Sequence, residues 1–64
     1  MKCRFGDNLQ DVRWDKNISQ KELAERLSVN KSTVSKWESG KVYPSIYWIY
    51  KIASVLGVNP KDLV

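Results

Sequence analysis

Between Asn30 and Ser39 the chain reads NKSTVSKWES, where hydrogen-bonding and positively charged side chains outnumber apolar ones. Lys31, Ser32, Thr33, Ser35, Lys36 and Ser39 bring ammonium and hydroxyl groups, and Val34 and Trp37 are the substantial apolar residues. The chemistry open to this set is recognition: hydroxyls donate and accept, and ammonium groups donate to anions. Turnover is not indicated. The sequence has no His and one cysteine, Cys3, so neither a zinc site nor a Cys–His nucleophile can be assembled. The expectation is a protein that is not an enzyme and needs no cofactor or metal.

Something must hold those groups on one side. On a helical wheel at roughly 100° per residue, Val34 and Trp37 mark an inward side. Opposite lie Ser32, Ser35, Lys36 and Ser39, with Lys31 and Thr33 at the edges. Ser, Thr and Val are mediocre helix formers, and Ala, Glu or Lys would serve a merely solvated helix better. Small side chains allow close approach to another surface. A DNA major groove about 12 Å wide admits such a helix, and Lys, Ser and Thr all reach base edges there. The plainer reading of this stretch alone is a solvated helix face.

Helical periodicity runs through the rest of the chain. Phe5, Leu9, Val12 and Lys16 step along one face of a first helix, and Asn17 is placed to end it in a left-handed conformation. The segment SQKE at 19–22 reads as a capping box, with Ser19 capping the second helix and Glu22 reaching back to the Ser19 amide. Leu23, Ala24 and Leu27 are its apolar side. Asn30 is the N-cap of the third helix and Gly40 its stop. After Pro44, Ser45 caps a fourth helix with Ile46, Ile49, Ile52, Ala53 and Leu56 on one face, closed by Gly57. Asn59, Pro60 and Asp62 open a short fifth helix carrying Leu63. No strand signal appears, so the expected fold is all-α, a compact five-helix domain spanning residues 1–64.

The helix at 20–27 decides between the two readings of the polar stretch. Leu23, Ala24, Leu27, Val29, Val34 and Trp37 are spaced so that two short helices pack across a tight turn, a helix-turn-helix over about residues 20–39. Through FGDNLQDVR, ISQKELAERLSVNKSTVSKWESGK and PSIYWIYKIASVLGVNPKDL, the chain resembles the phage repressor and Cro-like (lambda-repressor-like) helix-turn-helix proteins. SQKELA and SKWESGK are the most specific pieces. The resemblance implies a five-helix DNA-binding domain whose helices 2 and 3 form the helix-turn-helix, acting as a homodimer on a palindromic operator in double-stranded DNA.

Roles follow from that resemblance residue by residue. Asn30 to Ser39 becomes the recognition helix, with Lys31, Ser32, Thr33 and Lys36 at base-reading positions. Gln20 matches a residue that bonds a phosphate and supports the recognition helix. Asn30, Ser35, Ser39, Lys41 and Tyr43 become candidates for phosphate contact. Arg13 and Glu38 correspond to a structural ion pair joining the first helix to the third. The implied function is sequence-specific transcription regulation, most simply repression by occlusion.

Two departures from the family pattern stand out. Ser28 occupies the turn position where Gly is usual, and a left-handed backbone there costs Ser on the order of 1 kcal/mol. Helix four carries Tyr47, Trp48 and Tyr50 where many relatives are polar. We read Trp48, Val55 and Leu63 as a dimer surface, against the alternative that the aromatics merely cover a small core; Trp14 is a further candidate for core cover. Three other readings stay open: an activator, an antitoxin that also binds a toxin, and a protein-interaction module of the same fold that has lost DNA binding and uses the helix-four aromatics.

Charge supports the DNA reading. The formal net charge is +4, which favours polyanionic partners. From Gly6 to Leu27 the balance is −1, whereas Lys31, Lys36 and Lys41 against Glu38 leave the segment 28–44 at +2. Lys2 and Arg4 add to the excess. An unpaired thiol, no apolar signal core and no long apolar run lead us to expect a cytoplasmic protein without a membrane span.

Overall fold

A computed structural model describes residues 4–64. The expectations for Lys2 and for the lone thiol Cys3 lie outside the described residues. The chain forms α1 (Arg4–Asp15), α2 (Gln20–Leu27), α3 (Lys31–Ser39) and α4 (Ile46–Leu56), followed by a one-turn 3-10 helix at Pro60–Asp62. No strand occurs among the described residues. The expected count of five α-helices is therefore corrected to four. Only three residues follow Asn59 before the chain turns inward at Leu63, too few to build an α-turn ladder. The Asp62 and Leu63 amides instead donate three residues back, to Asn59 and Pro60, which is the 3-10 pattern.

Each boundary has a local cause. Asn17 takes a left-handed conformation at φ 57° after α1, as a C-terminal residue with a short polar side chain can. Ser19 is extended, and its hydroxyl accepts the Glu22 N–H at 3.0 Å. Glu22 does not turn back to the Ser19 amide as expected: its carboxylate accepts from Arg26 one turn on, at 2.7 Å. An exposed charge-assisted partner at i+4 replaces the second half of the capping box. Ser28 is left-handed at φ 59°, and the Val29 amide bonds the Ala24 carbonyl at 2.9 Å. The turn that favours Gly is thus made by Ser.

The core gathers Phe5 and Leu9 from α1, Leu23, Ala24 and Leu27 from α2, Val34 and Trp37 from α3, and Ile49, Ile52, Ala53 and Leu56 from α4. Ile18 joins it although periodicity did not single it out. It stands just before the Ser19 cap, four places after which comes Leu23, the spacing of a hydrophobic staple; both are buried. Ile46, expected on the core face, is 69% exposed, because the first residue of α4 sits on the flank beyond the end of the core stripe. Lys16 lies past α1 and is exposed, as is Trp14. Leu63 is fully buried, which removes it from any surface and corrects its assignment to a dimer face.

α2 and α3 pack most extensively on each other, and α1 packs on α3. Gly6 explains how α1 comes so close: a Cβ there would collide with the Glu38 carbonyl oxygen and lie 2.9 Å from that of Trp37. Among the described residues, no helix is long and apolar enough to cross a membrane.

Candidate nucleic-acid interface

α3 presents the polar side that its sequence called for. Val34 and Trp37 are buried, Ser32, Ser35, Lys36 and Ser39 are exposed opposite them, Lys31 is exposed, and Thr33 is half-buried at the edge. Lys31, Ser32, Thr33 and Lys36 therefore sit on one accessible side of one helix. The helix starts from an extended Asn30 whose side chain makes no capping bond. The Thr33 amide donates to the Asn30 carbonyl at 3.0 Å. Lys31 and Ser32, in the first turn, have no intrahelical acceptor for their amides. Open N–H groups with no acidic residue in that first turn make this end favourable to an anion.

Among the phosphate candidates, Asn30, Ser35 and Lys41 are exposed and free to meet a backbone. Ser39 is less suited than its position implied, because its hydroxyl donates to the Lys36 carbonyl at 3.2 Å. In that rotamer the proton is already used. Tyr43 leaves α3 on the following loop with its ring 5.7 Å from Phe5, so packing fixes the ring while the side chain stays 59% exposed.

A buried polar network sets the pose of α3. Arg13 reaches from α1 with Nε and Nη2 to the two carboxylate oxygens of Glu38, at 2.7 and 3.0 Å. The two side chains are 8% and 5% exposed. The third arm of the guanidinium, Nη1, donates to the Ile18 carbonyl at 3.0 Å. Gln20, first residue of α2, donates its amide to Glu38 Oε1 at 3.0 Å. One carboxylate near the end of α3 thus ties α1 to α2, while Arg13 also holds the loop between them. The ion pair is present as expected, and Gln20 bonds the same carboxylate that holds α3. No polar side-chain atom buried among the described residues lacks a partner.

On the far side of α3, Trp37 meets Trp48 of α4 at 5.8 Å between ring centroids. Trp48 in turn meets Tyr47 edge-on at 5.4 Å, and Lys51 lies 5.7 Å from the Tyr47 ring centre. Trp48 and Val55 are half-buried against the core. The aromatic signal of α4 is therefore divided: Trp48 is packing, whereas Tyr47 and Tyr50 remain exposed. Gly6 and Ile18, both needed to place α3, were not picked out from the sequence. A glycine inside a helix and an apolar residue directly before a cap were the signals available.

The helix-turn-helix family matches residues 9–63 of this chain. Over 60 residues, 94% of the chain, it is 40% identical to the HTH-type transcriptional activator BcrR of Enterococcus faecalis, and spans 29% of that protein's length. Control protein C.BamHI of Bacillus amyloliquefaciens is 38% identical over 61 residues, 94% of this chain and 75% of that one. The crystal structure of the restriction-modification controller protein C.AhdI from Aeromonas hydrophila is similar at a TM-score of 0.89. Sequence identity there is 33%, and the match covers 95% of this chain and 92% of that one.

Proposed function

Because the chain belongs to the helix-turn-helix family, we propose that it is a sequence-specific double-stranded DNA-binding transcriptional regulator. The observation that carries this reading is α3 itself: an accessible face of lysines and hydroxyls on a helix whose other face is buried and whose end is fixed by a three-way polar network. On this reading α3 enters the major groove, where Lys31, Ser32, Thr33 and Lys36 address base edges. The N-terminal amides of α2 and α3, with Gln20, Asn30, Ser35, Lys41 and the Tyr43 hydroxyl, take phosphates and set the register without reading sequence.

Residues 1–64 act as one DNA-binding domain in the cytoplasm, with the helix-turn-helix at about 20–39. Two copies on a palindromic operator place their α3 helices about 34–36 Å apart, one turn of DNA. Occlusion of a promoter makes the protein a repressor; the same placement beside a promoter supports activation, the activity in the name of BcrR. No reaction is assigned to it.

Selection of bound sequences from a random duplex pool tests the function. An enriched inverted repeat, with protection of the Lys31 and Lys36 side chains from acetylation in the complex, is the expected result. Recovery of no preferred sequence, with both lysines equally reactive with and without DNA, would rule the reading out.

A further inference from the structure

Where the start of α4 meets the 3-10 turn lies a groove of about 450 Å³. The buried Pro44 and Ile49 form its floor, and the exposed Tyr43, Ile46 and Tyr50 stand around it. A second hollow of about 360 Å³ adjoins it, lined by Tyr50, Asn59, Pro60 and Lys61. Lys61 lines both hollows, is exposed, and has no carboxylate partner among the described residues. No Asp or Glu side chain lines either one. Asp62, next along the chain, is engaged elsewhere: its carboxylate accepts the Asn59 N–H at 3.2 Å.

We propose that the joined hollows bind a small aromatic carboxylate, its ring in the larger and its carboxylate at Lys61, and that occupancy tightens DNA binding through Tyr43. The volume falls within the range of small-molecule pockets, about 300–1,000 Å³. Two tyrosine rings and two proline rings give flat apolar walls, which suit a ring better than a branched chain. Lys61 decides the charge. A cationic ligand would meet its ammonium and find no acid, a neutral one would leave it unanswered, and a carboxylate takes a charge-assisted hydrogen bond. Tyr43 links the site to the duplex, because one side of its ring packs on Phe5 and its side chain also lines the groove. A ligand ring laid on Tyr43 holds that side chain in place, so the ordering cost of its phosphate contact is met beforehand. This coupling, and not the site itself, rests on the DNA-binding reading.

Exposure of the walls sets the strength. A surface ammonium–carboxylate pair contributes little, so a ligand of this size binds with a dissociation constant on the order of 0.1–1 mM. Holding one side chain beforehand is worth about two- to tenfold in duplex affinity. The duplex must tighten the ligand by the same factor, since coupling between two binding sites is reciprocal.

Amide NMR titrations of the chain with phenylacetate, its neutral counterpart phenylacetamide, and acetate test the site without DNA. Phenylacetate should shift the amides around Tyr43, Ile49 and Lys61, phenylacetamide should bind about two- to fivefold more weakly, and acetate should not bind. Lys61→Gln should erase the difference between the two aromatic probes. Tyr50→Ala should weaken both by about two- to tenfold, whereas Tyr47→Ala, on the outer side of α4, should change neither. All three positions are exposed, so the variants keep the core. In duplex titrations, saturating phenylacetate should raise affinity by about two- to tenfold, and Tyr43→Ala should abolish the rise. Absence of groove shifts with both aromatic probes overturns the proposal, as does a Lys61→Gln chain that still prefers phenylacetate. Groove shifts that appear only on raising the protein concentration would give the groove to a second copy, and overturn it too. Binding that leaves duplex affinity unchanged overturns the coupling. If no duplex binds but phenylacetate still does, the site stands and the DNA reading falls.

Discussion

At the scale of single residues, Lys36 and Glu38 stand two apart on α3 and do opposite things. Lys36 is exposed on the polar side with no carboxylate paired to it among the described residues. Its replacement by Ala should remove about 1–3 kcal/mol of discrimination at the bases it meets, while affinity for unrelated duplex falls much less. Competition titrations with operator and scrambled duplex measure both, and an equal loss on the two would assign Lys36 to phosphate. Glu38 is interior and accepts from Arg13 and Gln20. Glu38→Ala leaves a buried guanidinium with only the Ile18 carbonyl, so urea unfolding should show a loss of about 3–5 kcal/mol. Replacing both partners together, as Arg13→Met with Glu38→Leu, should recover most of that loss, because the penalty comes from the stranded charge. The ion pair was legible only through family resemblance. Nothing in the spacing of Arg13 and Glu38, 25 residues apart, shows that two surface-type residues meet inside.

At the scale of elements, helix identity and order were readable from periodicity and caps, because Ser19, Ser28, Gly40, Ser45 and Gly57 all fall at real boundaries. What periodicity could not show is depth of contact. Gly6 looks like a flaw in a helix, yet it is where α1 touches the α3 backbone. Gly6→Ala gains helix propensity and still should destabilise by about 1–3 kcal/mol, since the new methyl must displace a carbonyl held in a helix. Ser28 predicts the reverse. Its φ of 59° is strained for a residue with a Cβ, so Ser28→Gly should stabilise by about 1 kcal/mol without altering the α2–α3 angle. Paired denaturant melts on the two variants check both signs against wild type. The fifth helix was over-read for a related reason: Asn-Pro-x-Asp marks a start, but nothing in it states how many turns follow, and here one does.

At the scale of the whole molecule, the charge distribution turns these local assignments into a measurable slope. The α1 and α2 stretch is slightly acidic while Lys31, Lys36 and Lys41 stand free on α3 and its exit loop, so a polyanion finds its cations on one side. Each phosphate neutralised by a cation releases condensed counterions, and log K against log salt falls by about 0.9 per contact. Lys41 on a phosphate, with Lys31 and Lys36 in a groove where their charge also displaces condensed cations, gives for two copies a slope of up to about −5 on a palindrome. One copy on a half-site should give about half of that, roughly −3. A shallow slope on both duplexes would mean that the lysines face solvent, the plainer reading of α3 that its helix propensities argued against.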